Sequence, residues 1–187
     1  MAQQLRTPTP ADAHELAKLH VACWKETYSD LLPEGFFDSA HDEQRLQMWN
    51  KVLADPNPLF RISLAENADG KLVGFAFSAA PTGNTEGIPS SVSRQLYNLY
   101  VLQGFHGDGT GQALLDAVLG GEPAMLWVES QNPRAIRFYQ RNGFALDGVT
   151  EDDPMAPKIT DARMVRYLVL GQDPRDLRVL GYAELGL

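Results

Sequence analysis

The chain has 187 residues, 44% of them hydrophobic and 21% charged, the balance of one ordinary globular domain long enough to bury a core without disulfides or metals. A formal net charge of −8 argues against a nucleic-acid partner, which needs a concentrated basic surface. The run from Met1 to Ala13 has neither the basic start nor the apolar stretch of a secretory signal, and no segment reaches the ~18 apolar residues of a membrane span. Its single cysteine, Cys23, cannot form an internal disulfide, so a cytoplasmic protein with no membrane partner is expected.

Thr9-Pro10-Ala11-Asp12 reads as a helix start, and Leu16, Leu19, His20, Cys23 and Thr27 then recur at helical spacing for about four turns. Ser39 is the expected cap of a second helix carrying Leu46, Trp49 and Leu53, closed by Asp55-Pro56-Asn57-Pro58. Phe60, Ile62 and Leu64 alternate with polar residues, and the run Lys71 to Ala79 resumes after Asn67-Ala68-Asp69-Gly70, which predicts a hairpin. A polar loop from Ala80 to Ser93 leads into a strand over Gln95 to Val101. A Gly-rich turn, a helix ending at Gly120-Gly121 and a short apolar strand, Met125 to Val128, follow. Asn132-Pro133 then caps a helix through Arg141, and Phe144 to Val149 reads as a strand. Glu151 to Pro157 reads as a loop, and Arg163 to Leu170 as the last strand. The fold class expected is α+β, a twisted and mostly antiparallel mixed sheet flanked by helices in a single domain over 1–170. A tail over 171–187 has no assignable structure; its Leu177, Val179, Leu180 and Tyr182 make it a candidate dimer arm.

The turn His106-Gly107-Asp108-Gly109-Thr110-Gly111 joins a predicted strand to a predicted helix. Closely spaced glycines let backbone N–H groups converge on one concavity, and the helix adds the positive end of its dipole, which suits a pyrophosphate. A tight turn needing positive φ angles explains the same glycines without a ligand. No Lys-Ser or Lys-Thr follows, which excludes a Walker A loop, and neither the spacing nor the place in the chain is that of a dinucleotide-binding fold.

Leu96-Tyr97-Asn98-Leu99-Tyr100-Val101-Leu102 with His106 to Leu115 resembles the central motif of the GNAT acetyltransferases, Gln/Arg-x-x-Gly-x-Gly/Ala, with His106 departing from its first position. Leu126 to Tyr139 followed by Asn142-Gly143-Phe144 resembles the family's next motif, in the right order and separation. The resemblance spans roughly Leu5 to Leu170. It implies acetyl-CoA as acetyl donor, cradled by His106, Gly107, Asp108, Gly109, Thr110, Gly111 and Gln112. The backbone of Leu99, Tyr100 and Val101 would pair with pantetheine, and Asn132 would contact the pantetheine or acetyl end. It also implies Tyr139 as the acid that protonates the departing CoA thiolate, a role in which a phenol can donate a hydrogen bond and then a proton. Asn132 as a helix cap and Tyr139 as a core aromatic are the competing readings.

An amine must lose a proton to attack, yet the usual bases are altered. Where some members of the family carry a Glu, this chain has Gln95; where others carry one in the next strand, it has Trp127. Glu34, Glu129 and Tyr97 remain as candidate bases beside a water relay, and Trp24, Tyr28, Glu34 and Tyr97 as candidate acceptor-pocket residues. Equally, Trp24 and Tyr28, four residues apart, could pack on the sheet. No His/Cys cluster has metal-ligand spacing, so no metal is expected. The expected function is acetyl transfer from acetyl-CoA to a primary amine of a small molecule or polypeptide. The alternatives are a non-catalytic acyl-CoA sensor or scaffold and, further off, a nucleotide-binding protein of another fold.

Overall fold

The computed structural model describes residues 3–29, 32, 36–55, 57–152 and 159–167. Strand β1 (Gln4–Arg6) leads through a 3-10 turn at Pro10–Asp12 into helix α1 (Ala13–Tyr28). The Asp12 carboxylate accepts the Thr9 N–H at 2.7 Å and pairs with Arg6 at 2.7 Å, which fixes the helix entry against β1. Helix α2 (Ser39–Ala54) is capped one residue before the expected Ser39. Asp38 holds the extended backbone of an N-cap, and its carboxylate accepts the His41 N–H at 2.9 Å. Leu16, His20 and Cys23 of α1 and Trp49 of α2 are buried, and the Trp49 indole N–H donates to His20 Nδ1 at 3.2 Å.

The hairpin is β2 (Arg61–Glu66) and β3 (Leu72–Ala79). After it come β4 (Arg94–Val101), α3 (Thr110–Leu119), β5 (Ala124–Glu129), α4 (Pro133–Arg141), β6 (Ala145–Asp152) and β7 (Thr160–Arg166). One seven-stranded sheet results, ordered β1-β2-β3-β4-β5-β7-β6. Every neighbouring pair is antiparallel except β4 and β5. Helices α1 and α2 cover one face with Leu64 and Phe75, while Leu114, Leu115 and Val118 of α3 and Tyr139 of α4 cover the other with Ala76, Leu96 and Leu126.

Strand β6 runs to Asp152, so Glu151 and Asp152, expected in a loop, belong to the sheet. They pair with Asp161 and Thr160, and the Thr160 hydroxyl donates to the Asp152 carboxylate at 2.9 Å. The last strand begins three residues before the expected Arg163. The rest of the expected loop, 153–157, and the tail over 171–187 lie outside the described residues. Among the described residues no helix is long and apolar enough to cross a membrane.

Two features of β4 position everything that follows. Its parallel pairing with β5 covers only Arg94 to Leu96 against Ala124 to Leu126, so beyond that point the strands part. Against β3 the register shifts between Phe77 and Ser78, which leaves Tyr97 as the extra residue of a bulge.

Candidate active site

Where β4 and β5 part, a cleft of about 590 Å³ opens through the sheet. The glycine-rich turn stands at one end of it, with Gly107, Gly109, Gly111 and Gln112 on its wall. Gly107 and Gly109 have φ of +85° and +94°, so the turn itself requires them. Gly111 is different. It sits inside α3 without a positive φ, and a Cβ there would first meet Phe138 at 3.8 Å. Neither backbone strain nor packing forbids a side chain at Gly111, whereas a ligand lying close against the first turn of α3 would.

Asp108 and Thr110, expected among the cofactor contacts, do not line the cleft. The Asp108 carboxylate instead accepts the Thr110 hydroxyl at 2.6 Å and the Thr110 N–H at 2.9 Å, and these bonds hold its pKa below the usual carboxylate value. His106 turns back onto its own strand, with Nε2 2.7 Å from the Val101 carbonyl oxygen. Because a carbonyl only accepts, Nε2 carries the proton there, and the ring braces the turn. The Arg134 guanidinium stands 3.4 Å from the same ring nitrogen and, with Arg141, adds positive charge to this end of the cleft. Leu99, Tyr100 and Val101 line the cleft from the stretch of β4 that β5 has left.

Asn132 is the N-cap of α4, its side-chain oxygen accepting the Ala135 N–H at 3.0 Å, and it also borders the cleft. About two turns further along α4, Tyr139 is only 8% exposed, packed by its edge against Phe138 and Phe144. Its hydroxyl has no hydrogen-bond partner among the described residues, although the ring lines the cleft. Burial, with a smaller contribution from Tyr100, holds this phenol well above its ordinary pKa, hence protonated at neutral pH.

On the opposite wall the Trp24 indole N–H donates to the Tyr100 hydroxyl at 2.9 Å, and Tyr28 hydrogen-bonds the same hydroxyl. Burial pushes Tyr100 up to about 12 despite these bonds, and it raises Tyr28 further still, with Tyr100 and Asp161 adding to the shift. Trp24 meets Tyr28 edge-on at 5.2 Å, and the Arg45 guanidinium lies 4.8 Å over the Trp24 ring. Trp24 and Tyr28 therefore do both things expected of them: they pack, and they border the cleft.

The candidate bases are less free than their chemistry alone implies. Tyr97 donates to the Ala80 carbonyl at 2.8 Å, so its hydroxyl accepts from Thr82 at 2.7 Å. Gln95, on the same side of the strand, accepts the Thr82 N–H at 3.2 Å. Both side chains pin the start of the 80–93 loop. Glu129 is buried, with one carboxylate oxygen accepting the Gln131 N–H at 2.7 Å. Glu34 lies outside the described residues.

Residues 59–146 match the model of the acetyltransferase (GNAT) domain, a span that runs from β2 into β6 and includes the glycine turn, α4 and the parting strands. An uncharacterised N-acetyltransferase of Mycobacterium tuberculosis is 34% identical over 125 residues, 64% of this chain and 73% of that protein. The uncharacterised N-acetyltransferase YuaI of Bacillus subtilis is 28% identical over 148 residues, 76% and 79% of the two chains. The chain belongs to the GNAT acetyltransferase family. A solved structure, the PaiA N-acetyltransferase of Thermoplasma acidophilum in complex with coenzyme A, shares the fold with a TM-score of 0.65 at 22% identity, covering 90% of this chain and 100% of that one.

Within this GNAT fold, two residues of β7 escape a reading of the sequence, one lining the cleft and one outside it. Asp161 reaches the cleft because β7 pairs with β5 and sets it directly opposite Glu129. Arg163, two residues on and opposite Trp127, is 3% exposed. It pairs with Asp147 at 2.7 Å and donates to the carbonyls of Asn84 and Glu86 at 3.0 and 2.9 Å. Arg163 thereby ties the 80–93 loop to β7 and β6. Period-two alternation in the run Thr160 to Arg166 could have marked Arg163 as inward-facing, but nothing local could have marked its partners.

Proposed function

We propose that this chain transfers an acetyl group from acetyl-CoA to a primary amine, with Tyr139 as the general acid. The observation that carries the reading is a nine-tenths buried phenol, held protonated and without a hydrogen-bond partner among the described residues, lining the cleft where β4 and β5 part. The phosphates of the donor would lie on the N-terminal turn of α3 against Gly107, Gly109 and Gly111, near Arg134 and Arg141. Pantetheine would run along Leu99 to Val101. That the Thermoplasma neighbour of the same fold was solved with coenzyme A supports the choice of donor, and the glycine turn at a helix N-terminus supports the placement of its phosphates.

The amine nitrogen attacks the acetyl carbonyl carbon, the carbon–sulfur bond breaks, and the sulfur leaves with its electron pair. Tyr139 delivers a proton to it, the acylated nitrogen gives its extra proton to water, and the Tyr139 phenolate is reprotonated from water. In a dry site a neutral donor aimed at the developing thiolate stabilises it more than solvent would, and the raised pKa keeps that donor from ionising beforehand. Tyr139→Phe should lower kcat for CoA release by about 100-fold while leaving acetyl-CoA binding intact. A Tyr139→Phe enzyme with wild-type turnover contradicts the acid role.

One observation favours a second reading, a non-catalytic acyl-CoA sensor. Gln95 stands where a carboxylate base is expected, and its oxygen is already committed to Thr82. Acetyl-CoA binding without CoA release over a broad amine panel would decide for the sensor.

A further inference from the structure

Two phenols reach the parting of β4 and β5 from opposite faces of the sheet. Tyr139 comes from α4, and Tyr100 comes from β4 itself on the face covered by α1 and α2. Tyr100 contributes to the raised pKa of Tyr139, so the two act on each other across the gap. The Tyr100 ring is fixed by packing, with the His20 ring centred 5.3 Å away and the Phe75 ring 5.6 Å away. Its hydroxyl oxygen accepts the Trp24 N–H at 2.9 Å. The hydrogen bond between Tyr28 and Tyr100 raises the first phenol and lowers the second, which makes Tyr28 the donor. With both acceptor sites of Tyr100 taken, its own proton is left over, and no acceptor among the described residues takes it. Tyr97, the other phenol that β4 brings to the cleft, has already donated to the Ala80 carbonyl.

A neutral phenol whose oxygen is occupied and whose proton is free can serve only developing negative charge. In transfer from a thioester that charge appears at two atoms, the sulfur and the carbonyl oxygen, and Tyr139 is the donor assigned to the sulfur. Resting on the reading of the cleft as an acetyl-transfer site, we propose that Tyr100 is a second catalytic residue, its hydroxyl donating a hydrogen bond to the carbonyl oxygen of the acetyl group, with Trp24 and Tyr28 as positioning residues that hold it there. As the amine nitrogen bonds to the carbonyl carbon, the π pair of the C=O bond moves onto oxygen, where the Tyr100 O–H stabilises it without giving up its proton. The pair returns as the carbon–sulfur bond breaks and Tyr139 protonates the sulfur. The two bonds that Tyr100 accepts polarise its O–H and strengthen it as a donor. Because the ring and the oxygen are fixed beforehand, no reorganisation is needed as the charge develops.

The test reads the carbonyl directly and needs no acceptor. Acetyl-CoA labelled with carbon-13 at its carbonyl is bound to each protein, and the isotope-edited infrared difference spectrum is recorded. The carbonyl band should lie at lower frequency in the wild type than in Tyr100→Phe, because a donor on the oxygen weakens the C=O bond. Phenylalanine keeps the ring packing with His20 and Phe75, so the variant should fold. Trp24→Phe removes the N–H that orients the hydroxyl and should move the band part of the way, whereas Tyr139→Phe should leave it at the wild-type frequency. Over a panel of primary amines, Tyr100→Phe should lower kcat for CoA release at least ~10-fold with KM for acetyl-CoA within about twofold. The same band in the wild type and Tyr100→Phe, or an unchanged kcat in that variant, overturns the inference while leaving acetyl transfer standing. Acetyl-CoA bound by the wild type without CoA release over the panel overturns the transfer reading and the inference together.

Discussion

The two ends of the cleft are built in opposite ways. The proposed cofactor end is backbone: a turn whose two glycines satisfy its own φ angles, a third glycine that leaves space, and a strand stretch freed by its neighbour's departure. Most of its residues lie within two continuous runs of chain, 96–115 and 126–144. The proposed acceptor end is side chain: Trp24 and Tyr28 from α1, Tyr97 from the β4 bulge, Trp127 and Glu129 from β5, and Asp161 from β7. Backbone sites tolerate substitution at most positions and keep one ligand, whereas a wall assembled from separate elements can change its ligand by changing any of them.

Substitutions at three positions sharpen that contrast, beginning with the largest expected effect. Tyr139→Phe, at the junction of the two ends, should remove about 100-fold in kcat without touching either binding step, as single-turnover kinetics can show. Arg163→Ala belongs to the acceptor end alone. It leaves Asp147 without its partner and two loop carbonyls without donors, at a cost of about 3 kcal/mol in urea denaturation. Because the 80–93 loop loses its tie, the acceptor KM should rise several-fold while acetyl-CoA affinity stays within about twofold. A loss of acetyl-CoA affinity instead would mean that the ends are not separable. Asn132 gives the smallest effect, and Asn132→Ala should cost about 1 kcal/mol of stability as a lost helix cap. Asn132→Asp keeps the cap but replaces the amide N–H donors, so wild-type stability with reduced kcat/KM would assign the amide to the cofactor. Full activity would leave it a cap only.

The same contrast explains what could be read from the chain. Gly107, Gly109, Gly111, Asn132 and Tyr139 are legible as cleft residues because their spacing along the chain follows the GNAT motifs. Helices are legible where one face is buried, as in α1. β6 is exposed along nearly its whole length, so its acidic end at Glu151 and Asp152 shows no alternation and imitates a loop. Asp38 and Ser39 are both good caps, and only the backbone conformation separates them. Asp161 is invisible locally, since its partner Glu129 is 32 positions away and the pairing of β5 with β7 alone unites them. Asp108 misled for a physical reason: a carboxylate beside a helix N-terminus bonds the nearest free donors, here those of Thr110, and turns from the cleft.

The central claim is that the glycine turn holds the cofactor, and Gly111 is where it can be tested with least damage to the fold. Its φ is not positive and its Cβ position is open to 3.8 Å, so Gly111→Glu should fold, whereas the left-handed backbone at Gly109 would strain any side chain. The measurement is the melting temperature with and without acetyl-CoA, for the wild type freed of bound CoA and for Gly111→Glu. The expected result is a rise of several degrees in the wild type and none in the folded variant, because a carboxylate against the first turn of α3 occludes and repels the diphosphate. An equal rise in both proteins would place the cofactor elsewhere and contradict the account.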